Sequence, residues 1–200
     1  MAWLNYHAMR FIMLHVAIFS FDSVDWKCDV QELPVLGRTL VVGRRTNVLL
    51  GNDSLLYLPE NVTQAARQRG QLFRQDAEDY FFIAFNDFPW HLIADIVIGR
   101  PAYDNYLVGL AIQQNVAVVD ASDTLLAVHQ TDYEGNWAGN RSTDNEVNAI
   151  VIGQQFDYSA GFTISAQYVT RIVANQVGNG KKVTVQRRDV SPWFWPFPWP

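Results

Sequence analysis

The chain has 200 residues, of which 49% are hydrophobic and 14% aromatic, enough for one domain with a substantial core. Its net charge of −5 argues against a nucleic-acid binder, which needs a basic face, and Arg44-Arg45 and Lys181-Lys182 read as solvated turns. The lone Cys28 excludes an intrachain disulfide and a cysteine zinc cluster.

In chain order, residues 11–19 are apolar and predict a buried strand. The run imitates a signal-peptide core after Arg10, but it lacks a small-x-small cleavage site and falls short of the ~20 residues that span a bilayer. Residues 38–42 predict a second strand, left by a turn at Gly43-Arg44-Arg45. Residues 60–69 have helical character, with Asn61 as N-cap and Gly70 as the stop. Glu78-Asp79 leads into the aromatic strand 80–85, which reads as core in preference to a stacking platform, and Asp79 at its start is a candidate site residue.

The densest grouping of polar side chains follows. Pro101 suits the first turn of a helix running to Ile112, with Tyr103, Tyr106, Leu107, Leu110 and Ala111 on one apolar face. Asp104 falls in that first turn, where the helix dipole is expected to keep a carboxylate ionised. Asp104 and Asn105 would serve equally well as caps. Val116–Val119 predicts a buried strand that delivers Asp120 to its C-terminal end, where ligands bind in open α/β sheets. A further strand over 124–128 is expected to present His129, Gln130, Asp132 and Tyr133 at the next edge. A lone histidine there is more often a structural group than a ligand.

Residues 131–145 predict a mobile polar loop in which Trp137 either stacks on a sugar ring or pins the loop. Asp144 is expected to cap a short helix over 145–152. The alternation of 162–169 predicts a strand, with Gly178-Asn179-Gly180 turning into a partner over 182–185. The last ten residues hold four prolines and three tryptophans and predict a disordered, adhesive tail. The expected organisation is a domain over 1–152, a strand-hairpin extension over 153–190 and the tail over 191–200. Sequons at Asn52, Asn61 and Asn140 would fit the secretory pathway.

Taken together, Asp79-Tyr80-Phe81-Phe82, Pro89-Trp90, Gly99-Arg100…Tyr103-Asp104-Asn105, Asp120-Ala121, His129-Gln130…Tyr133 and Glu146…Asn148 resemble the C-terminal half of a GT-A, nucleotide-diphospho-sugar transferase. The Gly43-Arg44-Arg45 turn is similar to one in the same group, so the resemblance covers about residues 36 to 150. It implies a Rossmann-like GT-A mixed α/β sheet, lacking its N-terminal half, that transfers a sugar from a nucleotide-sugar to the hydroxyl of a glycan or other acceptor. Asp104 matches the general base of inverting members, and His129 matches a late histidine that reaches the metal or the diphosphate. Asp79, Arg100, Tyr103, Asn105, Asp120, Gln130, Tyr133 and Trp137 would line the substrate site. The implied cofactor is manganese or magnesium, held by carboxylate and imidazole. The metal-binding Asp-x-Asp of the group has no counterpart here: His15-Val16-Ala17-Ile18 stands in its place, with Asp22 and Asp25 just beyond. The resemblance therefore also accommodates a non-catalytic relative that binds glycans, or a protein whose aromatic tail engages a partner.

Overall fold

The computed structural model describes residues 18–20, 37–50, 58–131, 144–153, 156–174 and 181–188, with the backbone alone for 18–20, 174 and 181–182. Its strands are β1 (Ile18–Ser20), β2 (Thr39–Gly43), β3 (Arg45–Leu49), β4 (Gln71–Leu72), β5 (Tyr80–Ile83), β6 (Ala117–Asp120), β7 (Leu126–Thr131), β8 (Tyr168–Ala174) and β9 (Lys181–Arg187). Its helices are α1 (Pro59–Arg69), α2 (Tyr103–Gln113) and α3 (Val147–Ile152). Among the described residues no helix is long and apolar enough to cross a membrane.

The architecture is mixed α/β. One sheet has the order β5-β2-β6-β8-β9, with β2, β6 and β8 parallel and the outer strands antiparallel. A second has the order β1-β7-β3-β4, with β3 and β7 parallel between antiparallel neighbours. The sheets are joined where the parallel pair β2/β6 leaves the first and continues as β3/β7 in the second, so a single residue, Arg44, separates β2 from β3. Arg45 therefore opens a strand and not a turn. Its segment Arg45-Thr46-Asn47-Val48-Leu49 is too polar to read as a strand alone, and it forms one because β7 and β4 supply backbone partners on both sides.

Alternation along β2 sends Leu40 and Val42 into a core shared with Leu107, Val108, Leu110 and Ala111 of α2, while Val41 packs on the opposite side. Helix α1 covers the second sheet with Val62, Ala65 and Ala66 against Val48 and Val128. It starts at Pro59, after Leu58, with Glu60 in its first turn and arginines in its last, and Gly70 ends it as expected. Asn61 is thus inside the helix and not its cap.

Other boundaries moved for local reasons. Helix α2 begins at Tyr103 because Pro101 and Ala102 occupy the centre of a turn closed by Tyr103 N–H donating to Arg100 O at 3.4 Å. Ala102 at φ 71°, ψ −3° takes the position that favours glycine in a type II turn, with proline before it, so Pro101 precedes the helix. Helix α3 begins at Val147 with Glu146, not Asp144, as N-cap, and the Asp144 carbonyl accepts from Val147 N–H at 3.4 Å. Strand β5 ends at Ile83, where its pairing with Leu40 stops, and Phe85 is exposed. In place of the expected strand over 162–169, a 3-10 turn at Thr163–Ser165 follows another at Tyr158–Gly161 and extended structure begins only at Tyr168, because Thr163 turns inward to hydrogen-bond Gln75 and Ala77. The β8/β9 hairpin extends the first sheet from β6. Of the loop expected over 131–145, Thr131 belongs to β7 and residues 132–143 lie outside the described residues, as do the expected turn at 178–180, the last ten residues and most of the 11–19 segment.

Candidate functional site

The chain's passage from one sheet to the other leaves backbone groups that neither ladder can satisfy, and Asp79 meets them. Its N–H donates to Gly43 O at 2.9 Å, and its carboxylate accepts from Arg45 N–H at 2.9 Å while pairing with the Arg45 guanidinium. Tyr80 follows, stacked across from Gly43, where any Cβ would overlap the tyrosine ring. Packing this tight holds the Glu78-Asp79 pair at a defined place.

Glu78 is 5% exposed. Its N–H donates to Asp104 Oδ2 at 3.2 Å, Thr163 Oγ1 donates to Glu78 Oε1 at 2.8 Å, and Asn105 Nδ2 donates to Glu78 Oε2 at 3.4 Å. Asn105 also reaches Asp76 O at 3.1 Å and Gly161 O. Glu78 and Asp104 thus form one acidic centre between the start of β5 and the start of α2. Burial raises the Glu78 carboxyl well above the ordinary range and the charge of Asp104 adds to this, against the opposing Thr163 hydroxyl. Asp104 is also raised, first by burial, despite backbone N–H groups of Glu78, Asn105 and its own residue that favour the charged form. Burial thus works against the expected help of the helix dipole, which contributes roughly 0.3–1 kcal/mol at a helix start, and Asp104 holds its proton more tightly than an ordinary aspartate.

A second carboxylate node lies at the end of β6. Asp120, 4% exposed, accepts from Ser122 N–H at 2.9 Å and Ser122 Oγ at 2.6 Å, and forms an ion pair with Arg188 at 2.6 Å. Arg188 arrives from the end of β9 and also donates to Thr163 O at 2.7 Å. Arg44 closes the node by donating its N–H to Ser122 Oγ at 3.0 Å. Thr163 therefore touches both nodes, through its hydroxyl to Glu78 and its carbonyl to Arg188.

No protein-family model, curated protein or solved structure matches this chain.

The structure brings Asp104 and Asn105 together beside Glu78, sets the neighbouring Asp79 against Arg45, and places Asp120 at the strand end where it was expected. Tyr103 packs on the core and lines a cavity of about 20 Å³ with Leu40, Phe81, Phe88 and Trp90, room for a water and not for a sugar ring. Burial raises its phenol, and Asp104 adds to the shift. Arg100 gives its carbonyl to Asn148 Nδ2 at 3.4 Å. His129 and Gln130 lie within β7, not beyond it, because β3 pairs with β7 as far as Thr131. His129 Nδ1 sits 3.2 Å from Asn47 Oδ1. Tyr133 and Trp137 lie outside the described residues.

Sequence reasoning missed Glu78, Arg45, Asn47, Thr163, Arg188 and Asn148 as site-building residues. Glu78 was detectable as the acidic neighbour of Asp79 before an aromatic strand. Thr163 and Arg188 carry no local signal, since each reaches the site from a distant turn or strand end. Among the described residues no three His, Cys, Asp or Glu side chains gather to hold a metal, so His129 does not have a described ligand set around it.

Proposed function

We propose that the Glu78–Asp104 centre is the acceptor side of a GT-A-like glycosyltransferase site, with a nucleotide-sugar as donor and the hydroxyl of a glycan or other acceptor as nucleophile. The observation that carries this reading is the position of Asp104: a carboxylate in the first turn of α2, beside a second buried carboxyl, with its proton affinity raised. A general base works best when its pKa is lifted from the ordinary carboxylate range towards the working pH.

In this mechanism Asp104 removes the acceptor proton as the hydroxyl oxygen bonds to the anomeric carbon, while the bond from that carbon to the nucleotide diphosphate breaks. Glu78 and Asn105 fix the backbone and side chains around the base, and Arg45 holds Asp79 as a neutralised neighbour. Manganese or magnesium is the cation expected to accompany the diphosphate. The residues assigned here act on the acceptor hydroxyl.

Calorimetric titration with UDP- and GDP-sugars, with and without manganese, tests the reading. Binding is expected, and Asp104→Asn is expected to keep binding while transfer falls about 10²–10⁴-fold, the usual contribution of a general base. Full turnover in Asp104→Asn removes Asp104 from the mechanism. Absence of donor binding in a folded chain refutes the transferase reading and directs attention to glycan binding without a donor.

A further inference from the structure

Arg45 and Asn47 lie two residues apart on β3 and so share one face of the second sheet, and the parallel register sets Asn47 directly beside His129 on β7. Arg45 is fixed from three sides: its guanidinium pairs with Asp79, lies 3.9 Å over the Phe73 ring, and donates from Nε to Asn47 Oδ1 at 3.0 Å. Arginine has donors only, so the atom of Asn47 that faces it must be the amide oxygen. Asn47 is 8% exposed, which leaves little room for the amide to flip. That same oxygen is 3.2 Å from His129 Nδ1, and an acceptor can be met only by a protonated nitrogen.

We infer that Arg45 and Asn47 are positioning residues that hold neutral His129 in its Nδ1–H tautomer, so that His129 interacts through the lone pair of Nε2. The relay Asp79–Arg45–Asn47–His129 runs from the residue next to Glu78 to β7. In this state Nε2 takes a hydrogen bond from a donor, such as a sugar hydroxyl, and does not donate to a phosphate oxygen. The tautomer follows from the hydrogen bonds alone; only the sugar as ligand rests on the transferase reading.

Long-range proton–nitrogen correlation spectra of the ¹⁵N-labelled full chain, recorded where the imidazole is neutral, read the tautomer directly. The expected result is a protonated Nδ1 and an unprotonated Nε2 for His129 in the wild type. Asn47→Leu is expected to move the signals towards the Nε2–H form, and Asn47→Asp, which keeps an acceptor, to retain Nδ1–H. An Nε2–H signature in the wild-type spectrum overturns the proposal without recourse to any variant, as does a wild-type pattern in folded Asn47→Leu. A titration with a nucleotide-sugar that leaves every spectrum unchanged refutes the transferase reading and leaves the tautomer assignment standing.

Discussion

Glu78 shows how one residue's surroundings set its chemistry. Both of its carboxylate oxygens have donors, yet burial dominates and its proton affinity rises. A group bound more tightly to its proton in the folded state stabilises the fold while protonated, and that contribution is lost as pH rises through its folded pKa. Glu78→Gln can keep the local bonds: the amide oxygen accepts from Asn105, and the amide nitrogen donates to Thr163 Oγ1, whose hydroxyl already reaches Ala77 O at 3.1 Å. Urea unfolding of wild type and Glu78→Gln should therefore coincide below the ordinary glutamate pKa of about 4.3 and diverge above it, with the variant the more stable at neutral pH. A pH-independent difference would show that Glu78 has the same proton affinity folded and unfolded.

The element that positions Asp104 depends on a residue outside the acidic centre. Asn148 on α3 is fully buried, accepts from Val97 N–H at 2.7 Å, and donates to Val97 O at 2.9 Å and Pro101 O at 3.1 Å. It pins the segment whose turn sets Ala102 in a left-handed conformation and starts α2 at Tyr103. Asn148→Ala leaves these backbone groups without partners and is expected to cost about 2–4 kcal/mol in chemical unfolding. A loss under 1 kcal/mol would mean that the turn holds by itself. The helix was legible in sequence because Leu107, Leu110 and Ala111 repeat at helical spacing, whereas its start was not. Proline fits both a first helical turn and a type II turn, and only the contact with α3 selects between them.

Across the whole molecule, the site is assembled by chain segments far apart in sequence. The Arg188–Asp120 pair joins the last described strand to the centre of the first sheet, with side chains 22% and 6% exposed. Removing the cation leaves a buried carboxylate answered only by Ser122, so Arg188→Ala should destabilise the fold by about 2–3 kcal/mol, and adding Asp120→Asn should recover part of that loss. Guanidinium unfolding of the single and double variants measures both effects. An unchanged midpoint in Arg188→Ala would show that the hairpin is held by its ladder alone.

By itself the sequence determined the local features: the β-branched run that ends at Asp120, the stop at Gly70, the apolar face of α2 and the acidic residues at element starts. These follow from side-chain periodicity and from backbone preferences that act within a few residues. Only the tertiary structure decided that Arg45 opens a strand, that His129 lies beside Asn47, that Thr163 turns in to Glu78 and that Arg188 meets Asp120. Polar residues such as these have little conformational preference of their own. Their place is set by the backbone and side-chain partners they must find once burial removes them from water.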